Sequence, residues 1–396
     1  MRRRSSRPRG GSVGRLPTPR NRALDMSKQY VTEASADTWI EARALRTFCA
    51  DVFVDAGLPA DAAATVADNL VVADLRGVHS HGVTRMEIYT ERLRRGLFNP
   101  HPRITIDRTG AAACTIDGDN GMGAVVGTAA IGEAIEMAAA TGLGAVTVRH
   151  SNHFGTTAYY IAKAVARGMF AFVCSNAPPT MAVWGGREPL FGTNPLGYGM
   201  PTGRYPAIVA DLATSIVARG KILLAAQRGE MIPPGWALDP EGAPTTDPHA
   251  ALIGAVLPFG EYKGSAFAML VELLAGRLSG ANSLQEVPDF YRDLKRVSNF
   301  GHFFLCLDVA RFMDMDRFRA RVDDMITTLK ASKRAAGHAE VLMPGEIETR
   351  LQDERLRSGI PLTAEIVRLL ETLAARHGVA FPAVSHRPLA AAEAVP

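Results

Sequence analysis

Cysteine is scarce in this sequence, with only Cys49, Cys114, Cys174 and Cys306 among 396 residues. They lie far apart, the last three inside apolar strand-like runs. Neither zinc-type spacing nor a disulfide framework is present, so they read as small buried hydrophobes in a reducing, cytoplasmic compartment. Long apolar runs are also missing. None approaches the roughly 20 residues needed to cross a bilayer, which argues against a membrane protein. No internal repeat is visible. Basic charge on the body of the chain is lacking too, despite a net charge of +4. Eight arginines against Asp25 give the first 25 residues +7 and leave −3 for the remainder, so no nucleic-acid partner is expected. That arginine-rich start has no apolar segment and allows three readings: a start assigned too early with Met26 the true one, a disordered basic arm, or an organellar transit peptide. Residues 1–30 therefore stay outside the fold argument.

What is present is a chain 47% apolar and 21% charged, long enough for substantial cores and more than one domain. Helical spacing runs from Thr38 to Ala56 and from Asp61 to Leu75, with Asp61 after Pro59 placed to cap the second helix. A third helix is expected from about Val83 to Arg95, stopped by Gly96. The texture changes at Arg103. Ile104–Ile106 and Ala113–Asp117 alternate like a hairpin, a glycine-rich turn at 118–123 opens an alanine-rich helix to Thr141, and strands follow at Gly144–Val148 and Met169–Ser175 with a helix between them. A loop-rich stretch, a strand at Ala207–Ala210, helices from Ile216 and Tyr262, a strand at His302–Val309 and three further helices complete the chain. The fold class expected is α/β, an α+β mixture. Residues 38–100 would form a helical part of a substrate and dimer domain, 101–260 a cofactor domain, 261–380 the helical and α/β remainder of the first domain, and 381–396 a tail.

The densest chemistry lies in Asp74–Arg85, D-L-R-G-V-H-S-H-G-V-T-R, where two histidines, a serine and two arginines surround two glycines. If a helix starts near His81, His81 and Arg85 share a face, which sets a proton-transfer group beside a fixed cation, as a small anionic substrate would need. His79 and His81 also invite a metal reading, although a third ligand is not obvious nearby. The turn at 118–127 contains G-x-G-x-x-x-G between a strand and a helix. It fails as a dinucleotide fingerprint, because the next strand ends in Val148-Arg149-His150 with no acidic residue for a ribose. His153 reads either as a structural histidine or as a phosphate or cofactor contact at a helix start. Asp211 reads as a cap or a site residue, and Lys263 as a solvated terminus or a phosphate contact.

Taken in order, D-L-R-G-V-H-S-H-G-V-T-R, S-N-H-F-G-T-T-A-Y-Y, W-G-G-R-E-P-L-F-G-T-N-P-L, D-L-A-T-S-x-x-A-R-G-K, P-x-G-W-A-L-D-x-x-G-x-P-T-T-D-P and Y-K-G resemble the malate/L-lactate dehydrogenase family over roughly Ala42 to Arg376. That family includes sulfolactate, ureidoglycolate and ketimine reductases. The resemblance implies an oxidoreductase using NAD or NADP on a cofactor domain that is not a Rossmann fold, working as a homodimer on a small 2-hydroxy acid of malate, lactate or sulfolactate type. It implies His81 as proton donor or acceptor with Ser80 orienting it, and His153 as the alternative catalytic histidine. Arg85 would clamp the substrate carboxylate, with Thr193, Arg219 and Gly220 as further substrate contacts. Cofactor positions would be His153, Phe154, Gly155, Thr156 and Thr157, then Asp211, Leu212 and Ala213, then Lys263, and Pro344, Gly345 and Glu346. No metal is implied. Ala177-Pro178 and Glu261 depart from the family pattern. The alternative activities are a cyclic ketimine reductase built on the same residues and a metal-dependent hydrolase built on the two histidines.

Overall fold

The computed structural model describes residues 38–386, 388 and 389; the expectations for residues 1–30 and for the end of the 381–396 segment lie outside them. The helical part opens with a short strand β1 (Thr38–Ile40), then α1 (Ala42–Asp55), α2 (Ala60–Leu75) and α3 (Met86–Arg94). Next come β2 (Thr105–Gly110), β3 (Ala113–Asp117), α4 (Gly123–Thr141), β4 (Leu143–Ser151), α5 (Thr157–Val165) and β5 (Met169–Ser175). Short strands β6 (Met181–Ala182) and β7 (Pro189–Phe191) precede β8 (Leu196–Met200), β9 (Ile208–Leu212) and α6 (Arg219–Arg228). The chain continues through β10 (Ala237–Leu238), β11 (Pro244–Thr245), α7 (Pro248–Ile253), β12 (Ala255–Val256) and α8 (Tyr262–Val271), which runs on into a π turn at Glu272–Arg277. It ends with β13 (Phe300–Asp308), α9 (Met315–Lys330), α10 (Glu346–Ser358), β14 (Ile360–Leu362) and α11 (Ala364–His377).

Seven strands form the main sheet in the order β2-β3-β4-β13-β5-β8-β9. Only β3 and β4 run parallel; every other neighbouring pair is antiparallel. A doubly wound dinucleotide fold needs parallel strands with helical crossovers, so the fold is mixed α/β and not Rossmann. One face of the sheet is covered by α4 and α5, whose Val126, Ile131, Ala134, Ile161 and Ala164 pack on Ile116, Val146, Val148 and Phe304. The opposite face receives α8 and the π turn through Val271 and Ala275. The close seat of α5 has a local cause in β8, where a Cβ on Gly197 would lie 2.2 Å from the Thr157 hydroxyl and one on Gly199 2.3 Å from Ile161. Among the described residues α4 alone is long and apolar enough by composition to cross a membrane. That corrects the expectation of no such run, and its buried residues belong to the sheet core.

The helical layer has its own core of Leu45, Phe53, Val66, Leu70, Met86 and Phe98 with Ile360, Leu370 and Leu373 from the far end of the chain. Thr38–Ile40, expected as helix, is a strand because it pairs antiparallel with Ile360–Leu362. The helix α2 starts at Ala60 with Pro59 in the capping position and no side-chain cap, so Asp61 sits in the first turn and does not cap. β13 returns from beyond residue 260 to the middle of the main sheet, between β4 and β5. Trp39 exchanges backbone hydrogen bonds with Ser385, which ties the start of the last segment to β1. All four cysteines are free and buried, as expected.

Candidate active site

The lower half of the Asp74–Arg85 segment is a closed network. Asp74 is fully buried; its carboxylate accepts from His79 Nδ1 at 2.7 Å and from the Val83 backbone N–H at 2.7 Å. His79 Nε2 lies 3.1 Å from Arg355 Nη1, which also donates to the Asp74 carbonyl at 2.6 Å. With a cation on Nε2, the ring carries its proton on Nδ1 and gives it to Asp74. Both nitrogens are then engaged, so His79 has no lone pair to share with His81 on a metal. Gly82 follows from the same packing: a Cβ there would lie 2.2 Å from the Asp74 carboxylate. Because Asp74 takes the Val83 N–H and Gly82 is extended, the expected helix from about His81 or Val83 breaks into two 3₁₀ turns, His79–His81 and Val83–Arg85, and α3 begins only at Met86.

Above this network the side chains have partners on one side only. Ser80 Oγ lies 2.9 Å from His81 Nδ1. The His81 ring stacks on that of His153, with centroids 5.4 Å apart. His153 is in turn 5.6 Å from Phe290, and its Nδ1 lies 2.6 Å from the Tyr89 hydroxyl. The Arg85 guanidinium sits 4.9 Å over the Tyr291 ring, and its Nε is buried without a hydrogen-bond partner. Burial, and then the Arg85 charge, lower the His81 pKa to about 3. Burial, with His81, Arg85 and His302 adding to it, holds His153 well below the ordinary imidazole value. Both rings are therefore neutral at physiological pH, and burial keeps the Tyr89 phenol protonated. The arrangement offers a neutral acid–base group beside a cation with unused hydrogen-bonding capacity.

Several of the remaining residues singled out in the sequence gather along the α5 end of the sheet. Asp211 Oδ2 accepts from the Ala158 N–H at 3.0 Å, so it caps α5 and not the helix that follows it in sequence. Leu212 and Ala213 follow it at the surface. Phe154 lies flat on the buried His302 ring at 4.3 Å, and its carbonyl accepts from Asn69. Gly155 and Thr156 lead into α5 at Thr157, and the Thr156 hydroxyl is buried without a partner. The Pro344 carbonyl accepts from the Val209 N–H, which sets Pro344-Gly345 against β9 two residues before Asp211. Glu346 is spent within the protein, accepting from Lys330 of α9, from Arg350 and from the Met343 N–H. Thr193 offers its carbonyl to Thr214, which joins that loop to Asp211–Ala213.

Arg219 starts α6 with Gly220 behind it, donates to the Leu252 carbonyl, and has its pKa lowered by burial and by Arg292, the neighbour of Tyr291. Lys263 stands exposed in the first turn of α8. The structure thus brings Ser80, His81, Arg85 and His153 together and places the Phe154–Thr157, Asp211–Ala213 and Pro344-Gly345 segments along one edge. Sequence reasoning missed Tyr89, Phe290, Tyr291 and Arg355. Tyr89 was within reach, four residues after Arg85. The other three come from loops and helices about 200 residues or more further on.

Set against known proteins, residues 40–371 match the family model described as malate/L-lactate dehydrogenase. The L-sulfolactate dehydrogenase of Methanothermobacter thermautotrophicus is 40% identical over 317 residues, covering 80% of this chain and 91% of that one. The solved malate dehydrogenase of Pyrococcus horikoshii superposes with a TM-score of 0.79 at 34% identity, over 87% of this chain and 97% of its own. The delta1-piperideine-2-carboxylate reductase of Pseudomonas syringae reaches 0.77 at 30% identity, over 85% and 99%. Relatives named for NAD(+) and for NADP(+) both occur. With its non-Rossmann mixed sheet, its paired histidines and this match across most of its length, the chain is a hydroxy-acid oxidoreductase that belongs to the malate/L-lactate dehydrogenase family.

Proposed function

We propose that the enzyme interconverts a small 2-hydroxy acid of malate, lactate or sulfolactate type and its 2-oxo acid, using NAD or NADP. The observation that carries this reading is the neutral His81 beside Arg85, whose buried Nε has no partner. Arg85 takes the substrate carboxylate in a planar, two-point grip that fixes the C2 carbonyl. His81 moves the proton at the C2 oxygen, and Ser80 on Nδ1 orients the ring so that Nε2 faces the substrate. When bound, the nicotinamide cofactor supplies or removes the hydride at C2. His153, held by Tyr89, is the alternative proton carrier.

Residues 153–157, Asp211–Ala213, Lys263 and the turn at 344–346 would hold the cofactor. The unpartnered Thr156 hydroxyl supports that placement, and Glu346 contributes by shaping its turn. Thr193, Arg219 and Gly220 would complete the substrate side.

The low His81 pKa suits the oxidative direction, where a neutral base is wanted. In reduction the ring must first gain a proton, and a substrate carboxylate on Arg85 cancels one of the two causes that keep it neutral. Acid binding should accordingly draw in a proton.

The test is loss of nicotinamide absorbance with NADH or NADPH and a panel of oxaloacetate, pyruvate, sulfopyruvate and a cyclic imino acid. For the preferred acid, Arg85→Ala should raise KM by about 100-fold, the scale of losing a charge-assisted pair; an unchanged KM would remove the clamp. The likeness to the piperideine-carboxylate reductase favours a second reading, cyclic ketimine reduction by the same residues, and turnover of the imino acid alone would select it. The exposed apolar row of Tyr262, Phe267, Met269, Leu270 and Leu273 along α8 and the π turn supports a homodimer packed on that face. Light scattering at the mass of a single chain would contradict it. Four buried free thiols fit a cytoplasmic location.

A further inference from the structure

The helix α3, with Arg85 at its N-cap, carries more of the site than Arg85 and Tyr89. Arg85, Tyr89 and Arg92 follow one another at intervals of four and three, which lines them along one helical edge. Arg92 is completely buried, though it is a cation. Its Nη1 donates to the carbonyls of Phe290 and Asp293 at 3.1 and 3.0 Å, and its Nη2 to the Arg296 carbonyl and the Ser298 hydroxyl at 3.1 Å each. The guanidinium also lies 4.7 Å over the Phe290 ring. Asp293, the acid that acts on it electrostatically, spends its carboxylate on Arg296.

The segment Arg92 grips contains neither helix nor strand between Val287 and Phe300. Asp289 and Asp293 each close a local turn within it. The same segment presents Phe290 to His153 and Tyr291 to the Arg85 guanidinium. A single fork of donors thus fixes an irregular loop at three carbonyls and a hydroxyl, immediately beside the two residues that face the site.

We propose that Arg92 is a positioning residue for the reaction: by holding the 289–298 loop on α3, it sets Phe290 against His153 and Tyr291 beneath Arg85, and so fixes the direction of the carboxylate clamp. This rests on the reading of Arg85 and His81 given above. The planar fork is essential to the device, because an ammonium group is a point charge with no fixed pair of directions.

The experiment uses the full-length enzyme and whichever of oxaloacetate, pyruvate and sulfopyruvate gives the highest kcat/KM. Arg92→Lys keeps the charge and loses the fork. Its KM for the acid should rise about tenfold, the scale of one or two hydrogen bonds to a charged group, while KM for the reduced cofactor stays within about twofold. Combined with Tyr291→Ala, its effect should be less than multiplicative, because both changes act through one contact. A general loss of folded protein would instead lower the measured rate without splitting the two KM values. Should Arg92→Lys not fold, Ser298→Ala removes one of the four bonds and is expected to raise KM for the acid about threefold. An unchanged KM for the acid in the variant that folds, or multiplicative effects with Tyr291→Ala, overturns the proposal. Arg85→Ala separates the two levels: if it raises KM and the Arg92 variant does not, the clamp stands and only the positioning role falls. If no acid is turned over at all, the reading of the site falls and this role with it.

Discussion

His79 and His81 stand two residues apart in one short motif and live in different worlds. His79 is bound at both nitrogens, by a fully buried carboxylate and a buried guanidinium. His81 has Ser80 on one nitrogen, a second imidazole on its face, and nearby a cation whose buried Nε has no partner. The difference teaches how a dense cluster of polar residues divides its labour. The lower half uses up its hydrogen-bonding capacity to fix a backbone of two 3₁₀ turns, and the upper half leaves some unused. Buried polar networks reward complete satisfaction and penalise partial satisfaction, and the residual capacity at Arg85 is what the proposed carboxylate clamp rests on.

Removing Asp74 should break this division most severely. Asp74→Ala leaves the His79 Nδ1–H and the Val83 N–H without their buried acceptor, and should cost about 2–6 kcal/mol of stability, at about 1–3 for each buried donor left unsatisfied. A urea midpoint equal to that of the parent would move Asp74 out of the structural half. Gly82→Ala ranks next. Its Cβ would meet the Asp74 carboxylate at 2.2 Å, and relieving such a contact in a packed region should cost about 1–3 kcal/mol; a denaturation curve superposing on the parent would contradict it. The smallest effect per residue is a dependence on pH, about 1 kcal/mol for each ring at a pH one unit below its unfolded value. His81, His153 and His302 all have pKa values held below the ordinary one by burial. The unfolded chain therefore binds more protons than the folded one below pH about 6.5, so stability is complete above that value and declines as the pH falls. Urea midpoints at pH 7.5 and 5.5 should differ in that direction, and His81→Ala should shrink the difference; a flat profile would show that these rings are not held neutral.

Much of this arrangement was legible in the sequence. The Asp74–Arg85 cluster, the failure of the glycine-rich turn as a dinucleotide fingerprint, and strands such as Met169–Ser175 follow from local pattern, and local pattern is what side-chain periodicity records. The rest depends on distant partners. Thr38–Ile40 looks helical until Ile360–Leu362 pairs with it, and β13 reads as a strand with nothing to say that it lies between β4 and β5. Within the site, the structural role of His79 depends on Arg355, and the wall beside Arg85 depends on Phe290 and Tyr291 in a loop without periodicity. The helix predicted at His81 failed for a similar reason, since the Asp74 carboxylate diverts the Val83 N–H from it.

The central claim is that His81 moves the proton while His79 holds the frame. It is tested most directly by the turnover number of His81→Ala at saturating 2-oxo acid and reduced cofactor, with cofactor affinity measured in parallel by fluorescence titration. The account predicts a fall of about 100-fold or more, the usual scale for losing a general acid or base, with cofactor affinity within about twofold of the parent. Turnover close to that of the parent would contradict it and hand the role to His153.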